Sequence, residues 1–548
     1  MKSITQNIVK IIFLFTIYIS IQTSSAQWIG DPTLNNPVCN FQGHQQNIQM
    51  VTDNAGGAIL TWTDTRNGET KDIYAQRIDA NGNLLWNADG IAICTAPNEQ
   101  FTPKIISDAV NGAIITWEDR RISNDGDIYA QRINGNGLVQ WTINGVTVCN
   151  ATGSQSMPQI TYDGYNGAII AWTDGRNGNP DANIYTQRIN LVGNMQFTNN
   201  GFAVCTAAYF QGSPQLVPDG NNGVIITWND SRGNDGFADI YAQRISSTGF
   251  AYWPNNGVLI CNANNNQYDS KIVADSTGGA IICWLDNRNG NANIYAQKIS
   301  ATGLNQWTTN GVSVCSAPFL QGFQQIISDN TGGAYITWED RRFGFGSDIY
   351  TQRINTTGLP LWTTDGIEVC TSSPVQKEPQ LCLNNSGNLL ITWQDDYTNI
   401  FAQAITPTGS VLWTINGVPV CNAIDNQSNP QIISSGQNEV IIAWDDNRNT
   451  VLDIYASKLS SSGTLTTKSF SETSKISLFP NPVKDILTIQ NPENLNIDKI
   501  TITDLTCKIV LEQNNNATSV NVENLQNGMY LLQIISEGKI GTSKFIKN

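Results

Sequence analysis

The sequence predicts an all-β protein: an eight-bladed β-propeller closed by an N-terminal strand, followed by a small C-terminal β-sandwich. Two observations predict the propeller. One unit of about 55 residues recurs along the chain, and its first Trp falls at 62, 117, 172, 228, 284, 338, 393 and 444. The array is also split: the last unit lacks a final W…V-C strand, and a segment of that type, Trp28 to Cys39, precedes the first unit. A strand from the start of the array that completes the last sheet closes a ring and removes two exposed edges.

The unit reads P-x-I-x-x-D…G-A-I-I-T-W-x-D-x-R…D-I-Y-A-Q-R-I…G…W…N-G-V-x-V-C. It holds four extended segments, A to D. In the second unit these are Pro103 to Ser107, Ala113 to Trp117, Asp127 to Ile133, and roughly Leu138 to Cys149. They are rich in Ile, Val, Tyr, Thr and Trp, and turn residues such as Val110-Asn111-Gly112 separate them. Both alternation sets of segment C carry bulk, so both faces of each sheet are expected to be covered. Four short strands per repeat is the composition of a propeller blade.

The first 26 residues read as a signal peptide. Lys2 and Lys10 are basic, Ile11 to Ile21 is apolar, and Ser24 and Ala26 set cleavage after Ala26. The apolar run is too short for a bilayer span, and no transmembrane span is expected elsewhere. The organisation expected is 1–26 signal peptide, 27–460 propeller, 461–475 linker rich in Ser and Thr, and 476–548 tail. A net charge of −15 argues against nucleic acid and anionic membranes as partners. The single histidine, His44, cannot build a multi-His metal site.

The W-x-D-x-R element recurs in seven units, from Asp64/Arg66 to Asp446/Arg448; unit seven has Asp395 with Tyr397 in place of Arg. The expected role is structural: Asp caps the B–C turn and Arg pairs with a carboxylate, the D-I-Y Asp being the candidate. A Ca²⁺ loop is the alternative, opposed by the Arg charge; otherwise no cofactor is expected. The V-C cysteines (39, 94, 149, 205, 261, 315, 370 and 421) sit at equivalent places on different blades, too far apart for bridging, and read as small buried hydrophobes. Cys283, Cys382 and Cys507 have no repeated counterparts and are expected to be unpaired.

Antiparallel order puts the A–B and C–D turns on one face and the B–C and D–A connections on the other. The second group is longer and carries aromatics without repeat equivalents: Phe101, Tyr209, Phe210, Phe237, Tyr268, Phe319, Phe343, Phe345 and Tyr397. Phe237, Phe343, Phe345 and Tyr397 are the ligand-binding candidates, since units six and seven are the least regular. Rings beside Asn and Asp suit glycans. A sialidase-type Asp-box is only approximated by Asp329…Gly333…Trp338, and no sialidase activity is inferred.

The tail reads Leu478-Phe479-Pro480-Asn481-Pro482, then Ile486 to Ile489, Ile500 to Asp504, Asn527-Gly528-Met529-Tyr530, and Lys544-Phe545-Ile546-Lys547. It resembles the type A C-terminal sorting domain of the Bacteroidetes type IX secretion system over nearly all of 476–548, with Cys507 where that family usually has Gly. The resemblance implies a small β-sandwich, type IX secretion machinery as a partner, and Phe479, Pro480, Asn481, Pro482, Gly528, Tyr530 and Lys544 as sorting-signal residues. It further implies export across the outer membrane, usually with removal of the tail, and a secreted or surface-attached product. The repeats are also similar to those of other secreted Bacteroidetes propellers of unknown role. The expected function is non-catalytic binding or adhesion, with a polysaccharide or a surface protein as ligand. A carboxylate-based glycan-active enzyme and a structural surface component are the alternatives, because fold alone decides none of them.

Overall fold

A computed structural model describes residues 28–466, except 69, 179–180, 234, 345 and 373–374, and residues 477–548, except 491–496, 505–508, 515–517 and 537–538. The segment read as a signal peptide, with the cleavage expected after Ala26, and Phe345 and Cys507 lie outside the described residues. The chain divides into two compact units, one of which is Gln27–Lys468; the other contains Ser469–Asn548.

The first unit is eight four-stranded antiparallel sheets. Blade 2 is Gln100–Ser107 (A), Ala113–Asp119 (B), Asp127–Ile133 (C) and Val146–Cys149 (D). Strand D is shorter than expected. Residues 138–145 form a hairpin turn and a tight Asn144-Gly145 turn, with one bridge, Ile133↔Val139. Gly145 is required there: its φ is +87°, and a Cβ would stand 2.5 Å from the Trp117 ring.

Successive A strands touch all the way round, and the strand A of blade 1, Gln45–Thr52, meets that of blade 8, Gln427–Gly436. The A strands are therefore innermost and the ring is closed. Asn36–Cys39 supplies strand D of blade 8, pairing with Asp453–Leu459. Trp28 takes the place of the outer Trp of other blades: its Nε1 donates to Ala80 O at 3.0 Å, as Trp141 Nε1 donates to Leu191 O at 3.0 Å. Ser460 to Leu465 repeats the C–D hairpin of the other blades, with a Leu459↔Leu465 bridge and Gly463 against Trp413. The first residues of the segment read as linker thus continue blade 8.

Each blade's Trp is fully buried, and the W-x-D-x-R residues lock it in place. Trp Nε1 donates to Asp Oδ2 at 2.7–2.8 Å in seven blades. Arg Nη2 meets the same carboxylate at 2.5–2.7 Å. The Arg partner is therefore the Asp two residues before it, not the D-I-Y Asp. An Arg on that loop reaches back over its own turn and lies on the strand C Tyr, with Cζ 3.6–3.9 Å from the ring centroid.

The same Arg crosses the seam. Arg121 Nη2 donates to Cys94 Sγ of blade 1 at 3.1 Å and to Asn144 O of its own blade at 2.7 Å. Asn144 Oδ1 in turn accepts Thr95 N of blade 1 at 3.0 Å. The described cysteines are free, and burial pushes thiols such as Cys94 and Cys149 up to about 12. They are inert packing groups at the seam. Blade 7 lacks the Arg, and there Cys370 Sγ meets Ser372 Oγ at 3.1 Å instead. At the opposite face a second Arg of strand C binds the A–B turn Asp, as Arg132 does Asp108 at 2.8 Å.

The first residue of each strand A is a fully buried Gln. In seven blades its backbone N–H donates, at 2.6–2.9 Å, to the residue just before the D-I-Y position of the preceding blade. In blade 6 its side-chain Oε1 accepts Asn293 Nδ2 at 2.9 Å. In the other seven blades that oxygen has no donor among the described residues. In five of those seven blades the D-I-Y residue of the preceding blade is an Asp, which only in its protonated form could donate as Asn293 does. Burial, aided by neighbouring carboxylate charges, pushes Asp127, Asp239, Asp348 and Asp453 up to about 6, for Asp453 against a bond from Asn449.

The second unit has its own core of Val483, Leu487, Ile500, Leu532, Phe545 and neighbours. Ser477–Phe479, Ile486–Gln490 and Ser519–Asn521 form one sheet. Ile509–Asn514, Ile497–Thr503, Gly528–Ser536 and Lys539–Lys547 form the other, in that order.

Two outcomes are expected. Asp119→Ala leaves Arg121 and the Trp117 N–H without their buried acceptor and should cost about 3–5 kcal/mol, measured by urea unfolding. The D-I-Y Asp residues bind protons more tightly folded than unfolded, so their stabilisation is full below pH 4 and is lost as pH rises through about 6. Replacing Asp127, Asp239, Asp348 and Asp453 together by Asn should raise Tm at pH 7.5 by several degrees and flatten the pH dependence; a fall in Tm at pH 7.5 would refute the protonated donors.

Candidate functional site

The site is built by a defect repeated in every innermost strand. Strand A begins Gln-x-x-Pro in five blades, and Pro has no N–H for the ladder. In all eight blades the A–B register shifts at this point. The third residue bulges out with φ between 51° and 59°: Asn47, Thr102, Met157, Ser213, Asp269, Phe323, Glu378 and Asn429. Non-Gly residues at positive φ are costly unless the surroundings hold them. These eight stand at the B–C/D–A end of the innermost strands and ring the mouth of the channel.

Four of the bulges are held from the preceding blade by the middle residue of W-x-D. Thr173 Oγ1 accepts Ser213 N at 3.2 Å, Glu339 Oε1 accepts Glu378 N at 2.8 Å, and Asp445 Oδ2 accepts Asn47 N at 2.9 Å. Glu118 accepts Met157 N likewise. Burial pushes Glu118, Glu339 and Asp445 up to about 7; for Glu339 and Asp445 the nearby Glu378 charge adds to it. Glu378 Oε2 also accepts Asn429 N at 2.8 Å, and Asn429 Nδ2 donates to Asp445 Oδ2 at 3.3 Å. Blades 6, 7, 8 and 1 are thus joined through one polar chain at the mouth.

Two residues beyond each bulge lies a second ring, Gln49, Lys104, Gln159, Gln215, Lys271, Gln325, Gln380 and Gln431, all half-buried. Phe101 and Tyr268 flank the bulges on strand A itself, and Arg120 Cζ stands 4.6 Å from the Phe101 centroid.

The sequence-based candidates are dispersed. Phe237 on blade 4 is 38% exposed and Phe343 on blade 6 is 69% exposed. Tyr397 on blade 7 lies under Lys377 Nζ at 4.1 Å. No ring pair joins these three among the described residues. The bulge ring itself was not foreseen, although the recurrent Pro in strand A signals it. Phe250 and Tyr252 were also missed. They stand edge to face at 5.9 Å and border a groove with Phe202. They replace Leu, Asn, Ser, Thr or Gln of the other C–D hairpins, so an alignment of the repeats reveals them. Among the described residues no group of three or more His, Cys, Asp or Glu could hold a metal ion. In the loop read as a Ca²⁺ alternative, both Asp119 oxygens are already engaged by Trp117 and Arg121.

In the tail, the Pro-Asn-Pro segment is bound to the last strand. Asn481 Nδ2 donates to Lys544 O at 3.2 Å and its Oδ1 accepts Ile546 N at 2.9 Å. Val483 N donates to Ile546 O at 2.8 Å. Tyr530 stacks on buried Phe545 at 5.6 Å, and its hydroxyl donates to Gln526 O at 2.9 Å. Phe479 is 48% exposed.

Comparison with known proteins places a family on this tail: residues 477–548 match the model of the secretion system C-terminal sorting domain. No curated protein matches the chain. Among solved structures, an ulvan lyase is similar at TM-score 0.43 and 10% identity, over 81% of this chain and 98% of that one. PorZ of Porphyromonas gingivalis, a surface component of the type IX secretion system, is similar at 0.37 and 11%, over 91% and 70%. A protein of unknown function from Dyadobacter fermentans is similar at 0.32 and 10%, over 57% and 95%. Likenesses this distant carry no functional argument. Residues 477–548 belong to the secretion system C-terminal sorting domain family, and the chain is an eight-bladed propeller exported by type IX secretion to the extracellular space or cell surface.

Proposed function

We propose that the propeller is a non-catalytic binding module, that its ligand is a polysaccharide, and that the ligand is held at the mouth of the channel. One observation carries this reading. Around an otherwise repetitive scaffold, the eight bulge positions hold seven different residue types, among them Asn, Thr, Ser, Asp, Glu and Phe. Residues that vary where everything else repeats are not needed by the scaffold. Amides, hydroxyls and a ring are what a sugar chain engages. The carboxylates nearby serve as acceptors for backbone N–H groups, which is a structural task. On this reading residues 1–26 are removed after Ala26, 27–460 bind the ligand, and the tail at 476–548 is recognised by the secretion machinery.

A carboxylate-based glycan-active enzyme is the second reading. What favours it is Glu339, pushed up to about 7 and bonded to the half-exposed Glu378, because an acid near neutral pKa beside a second carboxylate is what glycoside cleavage needs.

A glycan array on the full chain, run with a screen for released reducing ends, separates the two. Phe323→Asn puts at the ring a residue already used at 47 and 429, one that tolerates positive φ. It should weaken glycan binding at least about tenfold, roughly 1.4 kcal/mol, with Tm unchanged. Cleavage that Glu378→Gln abolishes would instead establish the enzyme.

A further inference from the structure

We propose that the second ring makes the propeller selective for anionic glycans, those bearing carboxylate or sulfate groups, with Lys104 as the principal contact and Lys271 as its helper. The inference rests on the binding reading above and specifies its ligand.

Eight residues occupy one height in the channel. Gln49, Lys104, Gln159, Gln215, Lys271, Gln325, Gln380 and Gln431 each pair with the equivalent residue of strand B: Gln49 with Thr61, Lys104 with Thr116, Lys271 with Cys283. Six blades fill the place with Gln, so the scaffold does not require a charge there. Two blades carry Lys, in a chain whose net charge is −15.

Lys104 is the informative one. Its Nζ reaches only Gln49 Oε1, at 3.5 Å, and among the described residues no carboxylate stands within ion-pair distance of it. A half-buried ammonium without a counter-charge is unfavourable. Burial holds Lys104 below the usual lysine range, and the charge of Lys271 lowers it further. The two ammonium groups therefore sense each other within the channel. Lys271 is partly neutralised by Asp269, Nζ to Oδ1 being 3.0 Å. A carboxylate or sulfate entering the ring supplies the counter-charge that Lys104 lacks. Lys serves as a compact point charge with three donors, and the flanking Gln amides can bond the hydroxyls of the same chain. Asn47 and Thr102, in the bulges just above, continue this polar lining.

The repeat supplies its own safe variant: Lys104→Gln and Lys271→Gln install the residue that six blades already carry. The full chain and both variants would be run in affinity electrophoresis against polygalacturonate, a carrageenan and pullulan, as uronate, sulfated and neutral polymers. The expected result is retardation of the native chain by at least one anionic polymer. Lys104→Gln should weaken it at least about tenfold, and the double variant further, at unchanged Tm. Retardation by an anionic polymer that Lys104→Gln leaves intact overturns the proposal. Binding of pullulan alone overturns it while leaving the polysaccharide reading standing. Retardation by none of the three overturns both.

Discussion

The architecture depends on a buried carboxylate shared by an indole and a guanidinium. In seven blades one oxygen of the W-x-D Asp takes both the Trp N–H and an Arg Nη2–H, and in six of them the Arg Nε–H takes the other oxygen, inside the sheet stack. A charge so deep is tolerable only when its partner is rigid and every oxygen is used. Here the Tyr ring beneath the Arg, the Asn-Gly turn beside it and the Cys of the neighbouring blade all fix the fork. Local geometry and blade-to-blade contact are thus set by the same carboxylate–guanidinium pair, and the described cysteines of the stack form no disulfide.

That rigidity lets the inner strands carry strain. Each bulge has a non-Gly residue at positive φ, and five of the eight are held by a side chain of the preceding blade. The ring residues can therefore differ from blade to blade without disturbing the stack. Seam 6–7, where Tyr397 replaces the Arg, is where the fixed pattern weakens. It is also where Glu339, Glu378 and Lys377 gather.

Much of the fold could be read directly from the residues. A period near 55 and a split strand imply blades and closure, because those features are dictated by burial that every repeat must achieve alike. Strand D was overestimated: apolar Leu138 and Val139 look extended, yet Gly145 must turn where Trp117 leaves no room for a Cβ. The Arg partner was misplaced, since two Asp residues of each unit lie within reach in sequence and only burial distinguishes them. The bulge ring escaped notice for another reason. A bulge is a relation between two strands, and the residues it displays have no common type. The tail was legible because its Pro-Asn-Pro and Lys-Phe-Ile-Lys ends are bonded to each other.

The closing strand imposes an order of events. Asn35, fully buried, donates to Val420 O and to Ser457 Oγ, 422 positions further on. Arg448 of the last blade finds its carbonyls in Thr33 and Leu34. Until that last blade exists, Asn36–Cys39 has no partner and the first blade has a bare flank. Asn36–Cys39 must therefore wait for Asp453–Leu459, so closure of the ring is among the last steps in the folding of the propeller.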